Sequence, residues 1–140
     1  MTASTRVLVT GATGFIASRI VEQLLAAGTH VRGTVRNLKK PGDIQVLQQL
    51  PGAFERLELV EADLLREGSF DKAADGCDAV VHAASPYALT VRDAQKELVD
   101  PAVIGTNNVL NACERAGSVK RVVVTSSMAT VSDQPDSDHT

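Results

Sequence analysis

The chain has 140 residues, 44% of them apolar and 22% charged, with a formal net charge of −3. That length fits one domain able to bury about two-thirds of its unfolded surface, and the acidic balance argues against nucleic acid or an anionic membrane as the main partner. No apolar stretch approaches a membrane span of about 18 residues, and the first residues lack a signal-peptide core. Two cysteines, Cys77 and Cys113, make neither a disulfide framework nor a metal site, so a reducing cytoplasm is the expected compartment.

Val7–Thr10 is a continuous apolar run, of the kind that suits a strand covered on both faces. Gly11-Ala12-Thr13-Gly14-Phe15-Ile16-Ala17 follows it, a glycine turn that opens a helix predicted over Gly14–Ala27. Ile16, Ile20, Leu24 and Ala27 form its expected buried stripe, with Gly28 as the stop. A second strand is predicted over His30–Arg36 and, after the Pro41-Gly42 breaker, a short helix over Ile44–Leu50. Leu57–Glu61 reads as a third strand, Phe70–Asp75 as a short helix ending at Gly76, and Ala79–Ala83 as a fourth strand. A longer helix is expected from about Pro101 to Ala116, with Val103, Val109, Leu110 and Cys113 facing the core. Arg121–Thr125 is the fifth strand. Residues 1–131 read as one domain, followed by a loose polar tail over 132–140.

Strands alternating with helices imply an α/β fold with a parallel sheet and right-handed crossovers. With a nucleotide turn after the first strand, the expected order is 3-2-1-4-5, a doubly wound Rossmann-type sheet.

In the glycine turn, bare backbone N–H groups at the positive end of a helix dipole suit a diphosphate. Gly11 and Gly14 hold the two positions where a β-carbon would block the turn or keep the phosphates away. The third glycine of the pattern is replaced by Ala17, which still allows a slightly wider helix–sheet contact. At the end of strand two, NAD sites usually place a carboxylate for the ribose 2′-hydroxyl. Here stands Arg36, followed by Lys39 and Lys40. A guanidinium pairs with a 2′-phosphate, so NADP is favoured over a merely solvated basic loop.

Asp63-Leu64 follows strand three; the carboxylate either accepts the adenine amino group, with leucine over a ring face, or starts a turn. His82-Ala83-Ala84-Ser85-Pro86 ends strand four at the edge where ligands lie in open α/β sheets, and its small residues leave room for the nicotinamide ribose. His82 reads as a packed strand histidine rather than a catalytic one, and the single tyrosine, Tyr87, as pocket lining. Thr125-Ser126-Ser127 brings hydroxyls to the same edge. A serine there hydrogen-bonds a substrate carbonyl oxygen as hydride arrives, or serves only loop geometry.

The strings VTGATGFIA, TVRNLKK, EADL, GSFDKA, HAASPY, DPAVIGTNNVLNAC and RVVVTSS together resemble the extended short-chain dehydrogenase/reductases across nearly the whole chain. The nearer match is the branch of plant dihydroflavonol and cinnamoyl-CoA reductases and the yeast NADPH-dependent methylglyoxal (aldehyde) reductase. The resemblance implies that Gly11, Ala12, Thr13, Gly14, Phe15 and Ile16 hold the pyrophosphate, and that Arg36 and Lys40 bind the 2′-phosphate. It further implies that Asp63 and Leu64 frame the adenine, that Ala83, Ala84 and Ser85 lie by the nicotinamide, and that Ser127 is the catalytic serine. It implies NADP(H) as cofactor and a small-molecule aldehyde or ketone as substrate.

The family takes its proton from a tyrosine acidified by a lysine four residues later, about thirty residues beyond Ser127, and that string is absent here. The expectation is therefore the N-terminal part of a reductase, truncated before the later strands and the substrate-binding segment. Lacking its general acid, it should turn over about 10²–10⁴-fold more slowly or not at all. The fifth strand would then expose an apolar edge, Val122–Val124, prone to self-association. Two other functions stay open: an NADP-binding module without catalysis, and a sugar-nucleotide epimerase or dehydratase. Arg36 with Lys39-Lys40, and the HAASP string, argue against the last, since epimerases usually retain NAD.

Overall fold

The computed structural model describes residues 4–86 and 90–131. Five strands, β1 (Arg6–Val9), β2 (His30–Val35), β3 (Leu57–Glu61), β4 (Ala79–His82) and β5 (Arg121–Val124), form one sheet in the order β3-β2-β1-β4-β5. Every pairing is parallel, with Leu8 opposite both Arg32 and Val80. The α/β class and the 3-2-1-4-5 order are those read from the sequence.

Helices cover both faces because strand residues alternate between them. Val7 and Val9 of β1 point to one core with Val31, against Ala17, Val21 and Leu25 of α1 (Phe15–Ala26) and Leu47 of α2 (Pro41–Gln48). Leu8 and Val80 point to the other, with Phe70, Ala73 and Ala74 beside α4 (Asp71–Ala74) and Val109, Ala112 and Cys113 of α5 (Asp100–Ala116). A one-turn helix, α3 (Ala53–Arg56), precedes β3, and a π-helical turn, Gln95–Val99, runs into α5.

Two helix faces differ from expectation. On α1 the buried stripe is Ala17, Val21 and Leu25, one position away from the predicted one; Ile20 and Leu24 flank it, while Ile16 and Ala27 are exposed. On α5 the core side carries Gly105, Asn108, Val109, Ala112 and Cys113, whereas Val103 and Leu110 are exposed. Small residues are needed there because a β-carbon on Gly105 would lie 2.8 Å from that of Leu64. Helix α2 also begins earlier than predicted, at Pro41 rather than Ile44. Proline at a first helical position gives up an N–H that has no partner anyway, so Pro41 starts the helix instead of breaking it.

One charged residue lies in the second core. Arg32 is buried on β2; its Nε donates to Glu58 Oε2 at 2.8 Å, and its Nη1 donates to the carbonyls of Lys72, Ala73 and Asp75. The guanidinium thus satisfies the open carbonyls at the end of α4. Among the described residues no helix is long and apolar enough to cross a membrane.

Candidate functional site

A cleft of about 600 Å³ runs along the carboxyl edge of the sheet. Its walls are Gly11, Thr13 and Gly14 after β1, Arg36 after β2, Asp63 and Leu64 after β3, and Ala83, Ala84 and Ser85 after β4. Glu97 of the π-helical turn and Pro101 of α5 close one side.

The turn after β1 is shaped by contacts as well as conformation. Gly11 has φ +64°, and a β-carbon there would lie 3.0 Å from the β-carbon of Ala84. Ala12 is buried, and its β-carbon would lie 2.8 Å from one on Gly33, so β2 passes close behind the turn. Internal bonds take up half of the turn's amides. Gly11 N–H donates to Thr34 Oγ1 at 3.0 Å, Ala12 N–H to the Thr34 carbonyl at 2.9 Å, and Gly14 N–H to the Gly11 carbonyl at 2.8 Å. Among the described residues the amides of Thr13, Phe15 and Ile16 take no backbone partner, the normal condition of a helix start and the one an anion exploits. The side chains of Phe15 and Ile16 are exposed outside the cleft wall.

Beyond β2 the basic loop is fixed from beneath. Leu38 N–H donates to Glu61 Oε1 and Lys39 N–H to Asn37 Oδ1, both at 2.8 Å. Arg36 is exposed and lines the cleft; Lys40 caps α2 and does not.

Asp63 does start a turn: its Oδ1 accepts the Leu65 N–H at 2.9 Å, while Ser69 Oγ bonds both the Asp63 N–H and its carbonyl. The turn occupies one carboxylate oxygen and leaves Oδ2 for another donor, so the two readings of Asp63 are compatible. Asn108, buried on α5, donates from Nδ2 to the Leu64 carbonyl at 2.7 Å and holds this lip in place.

His82 is packed, as expected, at 3% exposure. Its Nδ1 lies 2.8 Å from Thr10 Oγ1 and its Nε2 3.2 Å from Thr106 Oγ1. Burial pushes the imidazole pKa down, which favours the neutral ring. Thr10 Oγ1 also accepts the N–H groups of Ala83 and Ala84, at 3.1 and 3.0 Å. Ser85 is exposed on the cleft wall. Tyr87 and residues 132–140 lie outside the described residues.

At the end of β5, Thr125 donates from both N–H and Oγ1 to the His82 carbonyl at 3.1 Å. Ser127 follows, exposed, its carbonyl accepting from Thr130 N–H and Oγ1. It shares the carboxyl edge but is not part of the cleft wall. The residues that sequence reasoning missed are the supports: Thr10, Thr34, Gly33 and Asn108. No sequence signal marks them: each acts through partners far away in the chain, as Thr34 inside β2 does by accepting the Gly11 N–H.

A family profile described as NAD(P)H-binding matches residues 11–140. A cinnamoyl-CoA reductase of Medicago truncatula is 52% identical over 125 residues, covering 89% of this chain and 38% of that protein. A dihydroflavonol 4-reductase of Zea mays is 47% identical over 125 residues, covering 89% and 35%. The chain thus spans well under half the length of these curated relatives. Among solved structures, the yeast methylglyoxal/isovaleraldehyde reductase Gre2 complexed with NADPH superposes with a TM-score of 0.82 at 32% identity, over 92% of this chain and 39% of that one. Gre2 of Candida albicans in complex with NADPH gives 0.79 at 39% identity, over 89% and 38%.

Proposed function

The chain belongs to the NAD(P)H-binding family, and on that premise we propose that it holds NADPH for the reduction of an aldehyde or ketone carbonyl. The observation that carries the reading is Arg36: the cleft wall at the end of β2 bears a guanidinium where an NAD site would bear a carboxylate. The turn fits a diphosphate, with unpartnered amides at the start of α1 and two glycines whose β-carbons would meet backbone or Ala84. When bound, the nicotinamide supplies a hydride.

Each residue then has a role. The amides of Thr13, Phe15 and Ile16 bind the diphosphate, with Gly11, Ala12 and Gly14 setting the turn. Arg36 pairs with the 2′-phosphate, and Lys40, outside the wall, adds positive charge nearby. Asp63 Oδ2 accepts the adenine amino group, and Leu64 covers the ring. Ala83, Ala84 and Ser85 leave space for the nicotinamide ribose. Ser127 orients the carbonyl oxygen, a role suggested by its position after β5. Residues 1–131 act as one cofactor-binding domain, in a cytoplasmic setting.

The names of the relatives, reductases in plants and yeast and two of them solved with NADPH, support the assignment. The 140 residues contain no Tyr-x-x-x-Lys: four positions after Tyr87 stands Val91. The reading rests on binding, so the test is an NADPH titration followed by the cofactor's own emission. Saturable binding at one site per chain supports it, and no saturable change rejects it.

A further inference from the structure

His82 sits at the junction of three threonines. Its ring meets Thr10, the last residue before the glycine turn, and Thr106 in α5; its carbonyl takes both donors of Thr125, two residues before Ser127. The hydrogen-bond inventory fixes where the ring proton sits. A threonine hydroxyl has one proton to give and two lone pairs. At Thr10 both lone pairs are taken by the N–H groups of Ala83 and Ala84. The hydroxyl proton must therefore go to His82 Nδ1, which accepts it, and the ring proton lies on Nε2 and is donated to Thr106 Oγ1.

We propose that His82 is a positioning residue whose imidazole, protonated on Nε2, locks the glycine turn, the Ala83–Ser85 strip and the Ser127 end of β5 into one arrangement. Through Thr10 it fixes the backbone of Ala83 and Ala84, which faces Gly11 so closely that a β-carbon on residue 11 would meet Ala84. Through Thr106 it anchors the same strip to the helix whose first turn supplies Pro101 to the cleft. Through its carbonyl it sets the height at which the chain leaves β5 toward Ser127. None of the three partners is a ligand-binding group in the assignment above, and His82 itself does not line the cleft. Its effect on the cofactor is carried by Ala83 and Ala84. The consequence for NADPH rests on the proposed function, whereas the proton's place on the ring does not.

The test has two arms. In the intact chain, two-dimensional ¹⁵N–¹H spectra of the histidine rings should show His82 Nε2 protonated and Nδ1 bare, without added cofactor. A proton on Nδ1, or rapid exchange between the two forms, overturns the lock. In the second arm NADPH is titrated into wild type, Thr10→Val and Thr10→Ser. Valine keeps the shape but strands two half-buried N–H groups, so affinity should fall about tenfold or more; serine, which keeps the hydroxyl, should restore it to within about threefold. A folded Thr10→Val chain that binds NADPH like wild type overturns the positioning role. If wild type itself binds no NADPH, the cofactor assignment fails, and the ring spectra still decide the lock.

Discussion

Gly11 and Ala84 stand so close that a β-carbon on residue 11 would lie 3.0 Å from that of Ala84. The contact joins the turn after β1 to the strip after β4, the two parts of the cleft wall on either side of the central strands. Gly11→Ala therefore meets two obstacles, a left-handed φ of +64° and this approach. It should lose about 2–3 kcal/mol of stability and at least about tenfold in NADPH affinity. Gly28→Ala is the control: φ is +79° but nothing lies within 4 Å of its β-carbon. It should lose only about 1–2 kcal/mol and bind NADPH unchanged. Urea midpoints and NADPH titrations of the two variants separate conformation from contact, and equal effects on binding would count against the account.

The lip formed by Asp63 and Leu64 depends on α5. Gly105→Ala should gain about 1 kcal/mol in helix propensity, yet its β-carbon would lie 2.8 Å from that of Leu64, with no flexible tip to yield. Overpacking of that kind costs about 1–3 kcal/mol, so the net change is destabilising and NADPH binding weakens as the lip moves. Leu64→Gly in the same chain removes that β-carbon and should recover the helix gain in a double-mutant cycle. Additive effects in that cycle would contradict the contact.

Stability should have a plateau in pH with a fall on each side. Burial holds the His82 imidazole below its ordinary 6.5 and the Cys77 and Cys113 thiols above their ordinary 9.0. As pH drops through 6.5, the unfolded state binds a proton that the folded state refuses, and stability declines until the folded ring also titrates. As pH rises through 9.0, the unfolded thiols ionise first, and stability declines again. Urea midpoints over about pH 5 to 10 check this, and His82→Gln should flatten the acidic limb alone. An unchanged acidic limb in that variant would remove His82 from the explanation.

The strand order and the glycine turn were legible because apolar runs bounded by turn residues mark buried parallel strands with little ambiguity. The helix faces were harder to read. On α1 the rows Ile16-Ile20-Leu24 and Ala17-Val21-Leu25 are both apolar at the same spacing, and only docking on the sheet chooses between them. On α5 the core side was disguised by Gly105 and Asn108, whose reason is Leu64, a residue more than forty positions away. Buried Arg32 looked like an ordinary strand residue, since the carbonyls it satisfies belong to a helix formed much later in the chain. In the site itself, residues whose type carries the chemistry stood out, as Arg36 and Asp63 did. Thr10 and Thr34, which act by holding other groups, became visible only with their partners.

The central claim is that Arg36 makes this an NADPH site, and isothermal titration with NADPH and NADH tests it most directly. Wild type should bind NADPH at least about tenfold more tightly than NADH, the scale of one charge-assisted contact to phosphate, and Arg36→Ala should bring the two affinities together. Equal affinities in wild type, or a preference that survives in Arg36→Ala, would contradict it.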